Sequence, residues 1–379
     1  MWEENQPVIT EKDLEEVRSR DFLKIVDHYH DMDNIETKLI LGEKPKKTIF
    51  LTIILPVYNH PQEFIRRAVQ SALKQICSYE YQLLVIDDYA SQKSPTDTEI
   101  YLRKLNDPRV VYYKNEENMG VFANWNRAVI LSNSTWVSFL HSDDFLKDNY
   151  LESMKRIIDE NPNIDQLACN YKKLDFIHDN IDVSKEIIGG GGYSTLRKVK
   201  YEEYLYNMIT SVKGSFYRRE KLIEIGGFRS QGDGIGLDDY PLMMRYAYYY
   251  NTYLVEKILY LNSWGYNDSL NTKHWYPELV ENYYMWLFFA DKEKYKILRF
   301  FYRKAARFLL LERARIYKSG RSWVGVPVEI DYEQLKADCE LDTLKINRIM
   351  GMVWLLIVWS FNTVKKYPLE KKWVKIDTK

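Results

Sequence analysis

Between Thr48 and Asp144 four apolar, β-branched runs alternate with segments of helical periodicity, and this alternation restricts the fold more than any other feature of the chain. The first run, TIFLTIILPVY, is unbroken up to Pro56, as expected of a strand buried on both faces. Next, PQEFIRRAVQSALKQ places Phe64, Ala68 and Leu73 at helical spacing behind a proline suited to a first turn. The step repeats through YQLLVIDD, DTEIYLRKLN, RVVYYKN, VFANWNRAVILS and TWVSFLHSDD. Such alternation predicts an α/β domain with a doubly wound, mostly parallel, Rossmann-like sheet. Ligands of these sheets bind beyond the carboxyl ends of the strands. Three of the ends carry polar groups: Tyr58 with Asn59, Asp87 with Asp88, and Asp143 with Asp144.

The flanks differ in texture. Residues 1–47 carry mixed charge, end in GEKPKK and read as a helical extension. Residues 48–275 read as the central domain, with a ligand-binding half at 48–165 and a second half at 166–275. In the second half IIGGGGYSTLRK is too glycine-rich for a fixed element and reads as a loop, either a plain connector or a lid. Residues 276–379 read as basic and apolar helices. In the segment from Asp291 to Arg321, Leu298, Phe301, Ala305, Phe308 and Leu309 recur at three and four amid Lys and Arg. That pattern fits a helix on an anionic membrane surface or, equally, a solvated helix packed on the main domain. The apolar stretch Ile349–Val364 falls short of the ~20 residues of a spanning helix. Shallow insertion aided by Trp354 and Trp359 is expected, giving peripheral attachment to a membrane.

Composition excludes some classes. Lys+Arg and Asp+Glu are 54 each, so nothing marks a nucleic-acid binder. Cys77, Cys169 and Cys339 are far apart and form no CxxC or Cys/His cluster, which suits a reducing compartment. The start, MWEENQPVITEKDLEEVRSRDF, has neither basic n-region nor apolar h-region, so a cytoplasmic location is expected.

The acidic pairs suggest chemistry. Asp143 and Asp144 make a poor closed metal site but a good open one, in which Mn2+ or Mg2+ is completed by phosphate oxygens and water. An ion there would stabilise a departing diphosphate. A second pair, Asp238 and Asp239 in GIGLDDYPLMMRYA, opens a helical segment and offers a general base for an acceptor hydroxyl, or simply an N-cap and first-turn acid.

TIILPVYNHPQEFIRRAVQSALKQ, YQLLVIDDYAS, NEENMGVFANWNRAV and WVSFLHSDDFL resemble, in order and spacing, the nucleotide-binding half of family 2 of the inverting nucleotide-sugar glycosyltransferases, of GT-A fold. GSFYRREKLIEIGGF and LDDYPLMMRYA are similar to the same family's acceptor half, so the resemblance covers roughly residues 48–270. It implies that Pro56, Tyr58 and Asn59 border the base and ribose, that Asp87 or Asp88 accepts from the base, and that Asn118, Gly120 and Asn126 lie near the nucleotide and diphosphate. Asp143 and Asp144 would match the metal-binding acids, Asp143 also facing the nucleotide. Asp239 would match the catalytic base, with Asp238 beside it. His141 departs from the family's D-x-D-D, which puts a ribose contact in doubt; the imidazole could coordinate, hydrogen-bond or be structural. His274 sits in a segment loosely similar to a late polar loop.

The activity so implied is transfer of one sugar from a nucleoside-diphosphate donor, expected to be a UDP-sugar, to a hydroxyl of a glycan or lipid-linked acceptor at the inner membrane face, in cell-surface polysaccharide synthesis. A processive synthase would bring several spanning helices and a Q-x-x-R-W motif, and neither is found. A catalytically inactive, membrane-attached scaffold of the same fold is the rival from another class. Sugar-nucleotide synthesis is disfavoured because the first strand leads into PVYNH and not into a glycine-rich phosphate loop.

Overall fold

The computed structural model describes residues 9–89, 95–176, 179–205, 209–229, 238–264, 274–322, 326–345, 347–365 and 371–376. Eleven strands form one sheet: β1 Thr37–Leu41, β2 Ile49–Val57, β3 Tyr81–Asp87, β4 Val110–Asn115, β5 Ser134–Phe139, β6 Phe145–Leu146, β7 Gln166–Asp175, β8 Gly192–Val199, β9 Ser215–Arg218, β10 Thr252–Trp264 and β11 Lys371–Ile376. Their order is β1-β4-β3-β2-β5-β9-β7-β10-β8-β11, with β6 on β10. The helices are α1 Glu11–Ser19, α2 Gln62–Leu73, α3 Asp97–Leu105, α4 Val121–Leu131, α5 Tyr150–Asp159, α6 Val183–Glu186, α7 Arg219–Glu224, α8 Asp239–Tyr249, α9 Trp275–Lys292, α10 Lys296–Lys318, α11 Tyr332–Asp338 and α12 Arg348–Lys365.

The β4-β3-β2-β5 block is parallel, as the alternation of the sequence requires. Its strands are buried on both faces and serve two cores. Leu51, Ile53, Leu55, Leu83 and Val85 pack with Ile65 and Ala68 of α2 and Leu151 and Met154 of α5. The alternate residues Ile54, Leu84 and Ile86 pack with Phe122 and Trp125 of α4 and with α8, α9 and α10. Period-two side-chain alternation thus divides one continuous apolar run between two helical layers. Register keeps the carboxyl ends of β2, β3 and β4 level, Val57 pairing with Asp87 and Asp87 with Lys114, whereas β5 stops at Phe139 opposite Ile54 and the chain runs on from there into residues 141–144.

Beyond β5 the sheet turns mixed. β9 is antiparallel to both β5 and β7, while β10 is parallel to β7 and antiparallel to β8. Helices flank the sheet at both ends of the chain, as expected, and each flank also lends an edge strand. β1 pairs with β4, and β11 pairs with β8. Part of the glycine-rich segment expected to be a loop is in fact β8, because Ser194, Leu196 and Val199 alternate inward behind the glycines.

Of the two readings of the basic helix, its apolar face follows the packed one. Leu298, Ala305 and Phe308 of α10 are buried within the protein, against α9 and α12, so that face is not available to lipid. On α12 the apolar residues divide: Val358 is buried, whereas Ile349, Met352, Val353 and Leu356 are 71%, 53%, 38% and 60% exposed. Among the described residues no helix is long and apolar enough to cross a membrane. The three cysteines are unpaired.

Candidate active site

The strand ends gather the predicted acids. Asp143 and Asp144 follow β5 and are buried. Asp144 is held from several sides. Its Oδ2 accepts the Tyr260 hydroxyl at 2.9 Å and faces Lys213 Nζ at 3.6 Å. Its Oδ1 accepts Asn262 Nδ2 at 2.9 Å and the Ser263 amide at 2.7 Å. A fully buried carboxylate needs this compensation, because an unpaired one would be strongly penalised. Burial and the neighbouring Asp144 push the Asp143 carboxyl well above the usual carboxylate range, and Lys213 opposes the shift.

His141 lies beside the pair. One donor atom each from His141, Asp143 and Asp144 lie within 4.8 Å of one another. The imidazole packs against Trp125 with centroids 5.2 Å apart, and its Nε2 is enclosed without a hydrogen-bond partner. Burial, and secondarily Lys213, lower its pKa to about 3, so the ring is neutral with a lone pair to offer. An orphaned imidazole nitrogen beside two carboxylates is a donor set that fits a divalent ion.

The second acidic pair is divided by its surroundings. Asp238 occupies the N-cap position of α8 but makes no capping bond to the helix. Its Oδ2 accepts the Arg229 amide at 2.8 Å and pairs with Arg245 at 3.5 Å. Arg229 continues to Glu281 of α9 at 2.7 Å, and Arg20 also reaches Glu281. Asp238 is therefore tied into a buried ion-pair network. Asp239 is partly exposed, and its Oδ1 accepts the adjoining Tyr240 amide at 2.8 Å. Burial first, and Asp238 after it, raise its carboxyl to about 6, against the lowering effect of the Tyr240 amide and of Lys213. Lys213 thus pairs with Asp144 and is within electrostatic range of both Asp143 and Asp239.

The remaining predicted residues fall into two groups. Pro56 is the penultimate residue of β2, Tyr58 is 49% exposed, and Asn59 adopts a left-handed backbone with φ 49°. His60 Nδ1 meets Ser142 Oγ at 2.5 Å, joining the ends of β2 and β5. Asp87 accepts the Tyr112 hydroxyl at 2.9 Å. Asp88 gathers the turn before α4, accepting from Asn115 Nδ2 at 2.9 Å and from the amides of Met119 and Gly120 at 3.0 Å each. Asn118 caps the same turn through the Gly120 amide at 3.0 Å, and Gly120 has φ 81°, which favours glycine. These groups border the strand ends. Asn126 is buried, donates to the Phe228 carbonyl at 2.6 Å and accepts the Phe228 amide at 2.9 Å. Its carboxamide braces α4 against the turn at residues 226–228. His274 occupies the N-cap position of α9; the polar loop before it and the glycine-rich turn before Asp238 lie outside the described residues.

Sequence reasoning missed Lys213, Tyr260, Asn262 and Glu278. The signal for Asn262 was a polar pair, Asn262 and Ser263, inside the apolar strand β10. Lys213 offered none. It precedes Gly214, whose φ of 69° favours glycine and where an added Cβ would sit a tight 3.0 Å from the Tyr260 side chain. Glu278 on α9 has its pKa raised to about 7 by burial and then by the charge of Asp239.

Comparison with known proteins bears on the family and the fold. Residues 52–226 match the family model "Glycosyl transferase family 2". An uncharacterized glycosyltransferase of Methanocaldococcus jannaschii is 26% identical over 147 residues, 39% of this chain and 48% of the relative. The Escherichia coli UDP-Glc:alpha-D-GlcNAc-diphosphoundecaprenol beta-1,3-glucosyltransferase WfgD is 29% identical over 157 residues, 41% of this chain and 55% of the relative. The chain therefore spans about half the length of each. The crystal structure of S. aureus TarS 1-349 shares the fold at a TM-score of 0.50 and 16% identity, covering 84% of this chain and 92% of that one.

Proposed function

Residues 52–226 form a family 2 glycosyltransferase domain of the GT-A fold, and from that premise we propose that the chain is an inverting glycosyltransferase. It moves a single sugar from a nucleoside-diphosphate donor, a UDP-sugar, to a hydroxyl of a glycan or lipid-linked acceptor in cell-surface polysaccharide synthesis. What supports this reading is the buried pair Asp143 and Asp144 after β5, with Lys213 3.6 Å from Asp144 and Asp239, at the start of α8, within electrostatic range of the same Lys213. The lipid-linked acceptor is suggested by the E. coli relative, a glucosyltransferase named for a diphosphoundecaprenol-linked GlcNAc.

Each group has a task. Asp143 and Asp144 would hold Mn2+ or Mg2+, which when bound neutralises charge on a departing diphosphate. Lys213 adds a fixed positive charge at the same place, so part of that stabilisation is built into the chain. The turn held by Asp88 turns the amides before α4 inward and fixes the wall near the base and ribose. Asp239 accepts the proton of the acceptor hydroxyl as it attacks, and a value near 6 leaves it ionised at neutral pH while still basic enough to act. Attack from the side opposite the leaving diphosphate inverts the anomeric centre. Asp238 positions Asp239 through Arg229 and Arg245 and does not itself meet substrate.

Attachment to the inner membrane face rests on α12. Ile349, Met352, Val353 and Leu356 follow helical spacing and form an exposed apolar stripe, with Lys345 and Arg348 at its start. The test of function is UDP release from a panel of UDP-sugars with Mn2+. Release that disappears in Asp144→Asn supports the transferase, whereas a folded protein that releases nucleotide from none of them supports the inactive scaffold.

A further inference from the structure

We propose that His141 supplies a nitrogen ligand to the ion held by Asp143 and Asp144, so that the site prefers Mn2+ or Co2+ to Mg2+. This rests on the metal-dependent transferase reading above and goes beyond it in naming a third ligand and its consequence. Donor atoms of the three residues already lie within 4.8 Å of one another. Ligands about 2.1 Å from one ion lie at most about 4.2 Å apart, so closing on an ion takes a movement of roughly half an ångström.

The ring is fixed for that role. Trp125 packs against one side, and the His141 amide donates to the Tyr260 hydroxyl at 3.2 Å. The same hydroxyl donates to Asp144 at 2.9 Å, so Tyr260 couples the imidazole's backbone to the carboxylate. Ser142, between them, is held by His60. Nε2 is left enclosed and unpaired among these contacts, a condition that is unfavourable unless something binds it.

Nitrogen in the donor set has a chemical consequence. Mg2+ favours all-oxygen coordination, whereas imidazole suits transition ions. Replacing the first carboxylate of a D-x-D-D pattern by imidazole also leaves the site one negative charge poorer, which matches the presence of Lys213 beside it.

The test is pulsed electron paramagnetic resonance on the full chain with Mn2+ and UDP, with the protein carrying either ordinary or 15N-labelled histidine. The expected result is a nitrogen coupling that changes with the label and vanishes in His141→Ala. His141→Asp should reduce the preference for Mn2+ over Mg2+ by at least about tenfold in direct titrations. Manganese that binds at the acidic pair without nitrogen coupling in the wild-type protein overturns the His141 assignment alone. Absence of UDP-dependent manganese binding overturns it together with the metal-dependent reading. The wild-type spectrum decides the matter even if the alanine variant folds poorly.

Discussion

Lys213 Nζ stands 3.6 Å from Asp144 Oδ2, and its charge also lowers the pKa of Asp239. One ammonium thus links residues that are 95 positions apart in sequence, and the loop bearing it is shaped by Gly214 against Tyr260. The relationship puts a counter-charge beside the buried Asp144 and within electrostatic range of Asp143 and of the partly exposed Asp239.

Replacement of Asp144 should separate chemistry from stability. Asp144→Asn loses the charge but keeps an acceptor oxygen for Asn262 and Ser263, and its amide nitrogen can donate to the Tyr260 hydroxyl, so transfer should fall at least about 100-fold with the fold retained. Asp144→Ala leaves Lys213, Tyr260 and Asn262 without their partner and should also destabilise the protein by about 3–5 kcal/mol. Nucleotide release and urea denaturation, measured side by side, distinguish the two variants.

Asp239→Asn should reduce transfer by about 10²–10⁴-fold while UDP affinity is unchanged. Asp238→Asn should act the other way round, lowering stability because Arg229 and Arg245 lose their buried counter-ion. If transfer survives in Asp239→Asn and fails in folded Asp238→Asn, the base is the other residue.

Acidity gives a further check. The base must be ionised, so kcat/KM should climb as pH rises through about 6 and level off above it. Lys213 lowers the Asp239 value, so Lys213→Gln should move that rise to higher pH. Stability runs in the opposite sense. The folded-state pKa of Asp239 lies above its ordinary value, so its contribution is present at low pH and lost as pH rises through about 6. Asp239→Asn should raise the Tm at pH 8, by on the order of 1–2 kcal/mol in stability, and leave it nearly unchanged at pH 4.

Much of the site was legible because its acids sit at predictable places. β2, β3, β4 and β5 are continuous apolar runs, and their carboxyl ends could be found by reading where each run meets a polar residue. What could not be read was the identity of the groups that hold those acids. Lys213, Tyr260 and Asn262 come from β10 and from the residues before β9, which the mixed topology brings beside β5 and β6. Local patterns carry no information about such crossings. Asn126 shows the same limit, since its hydrogen bonds to Phe228, 102 positions away, come only from packing. The amphipathic α10 showed the same ambiguity, a periodic apolar face being equally suited to lipid and to protein.

The exposed stripe of α12 predicts membrane affinity. Ile349→Glu with Leu356→Glu should reduce sedimentation with anionic vesicles by about tenfold or more, since each apolar side chain contributes roughly 1.5–3 kcal/mol when buried. Both residues are more than half exposed, so the fold should be spared. Unchanged sedimentation would remove the membrane from the account.

The most direct measurement is a crystal structure with UDP and Mn2+, located by the anomalous signal of manganese. The account predicts the ion at Asp143 and Asp144, the diphosphate beside Lys213, and the Asp239 carboxylate facing the β-phosphate across the space a sugar would fill. Nucleotide bound away from these strand ends, or an Asp239 carboxylate turned out of that space, would contradict it.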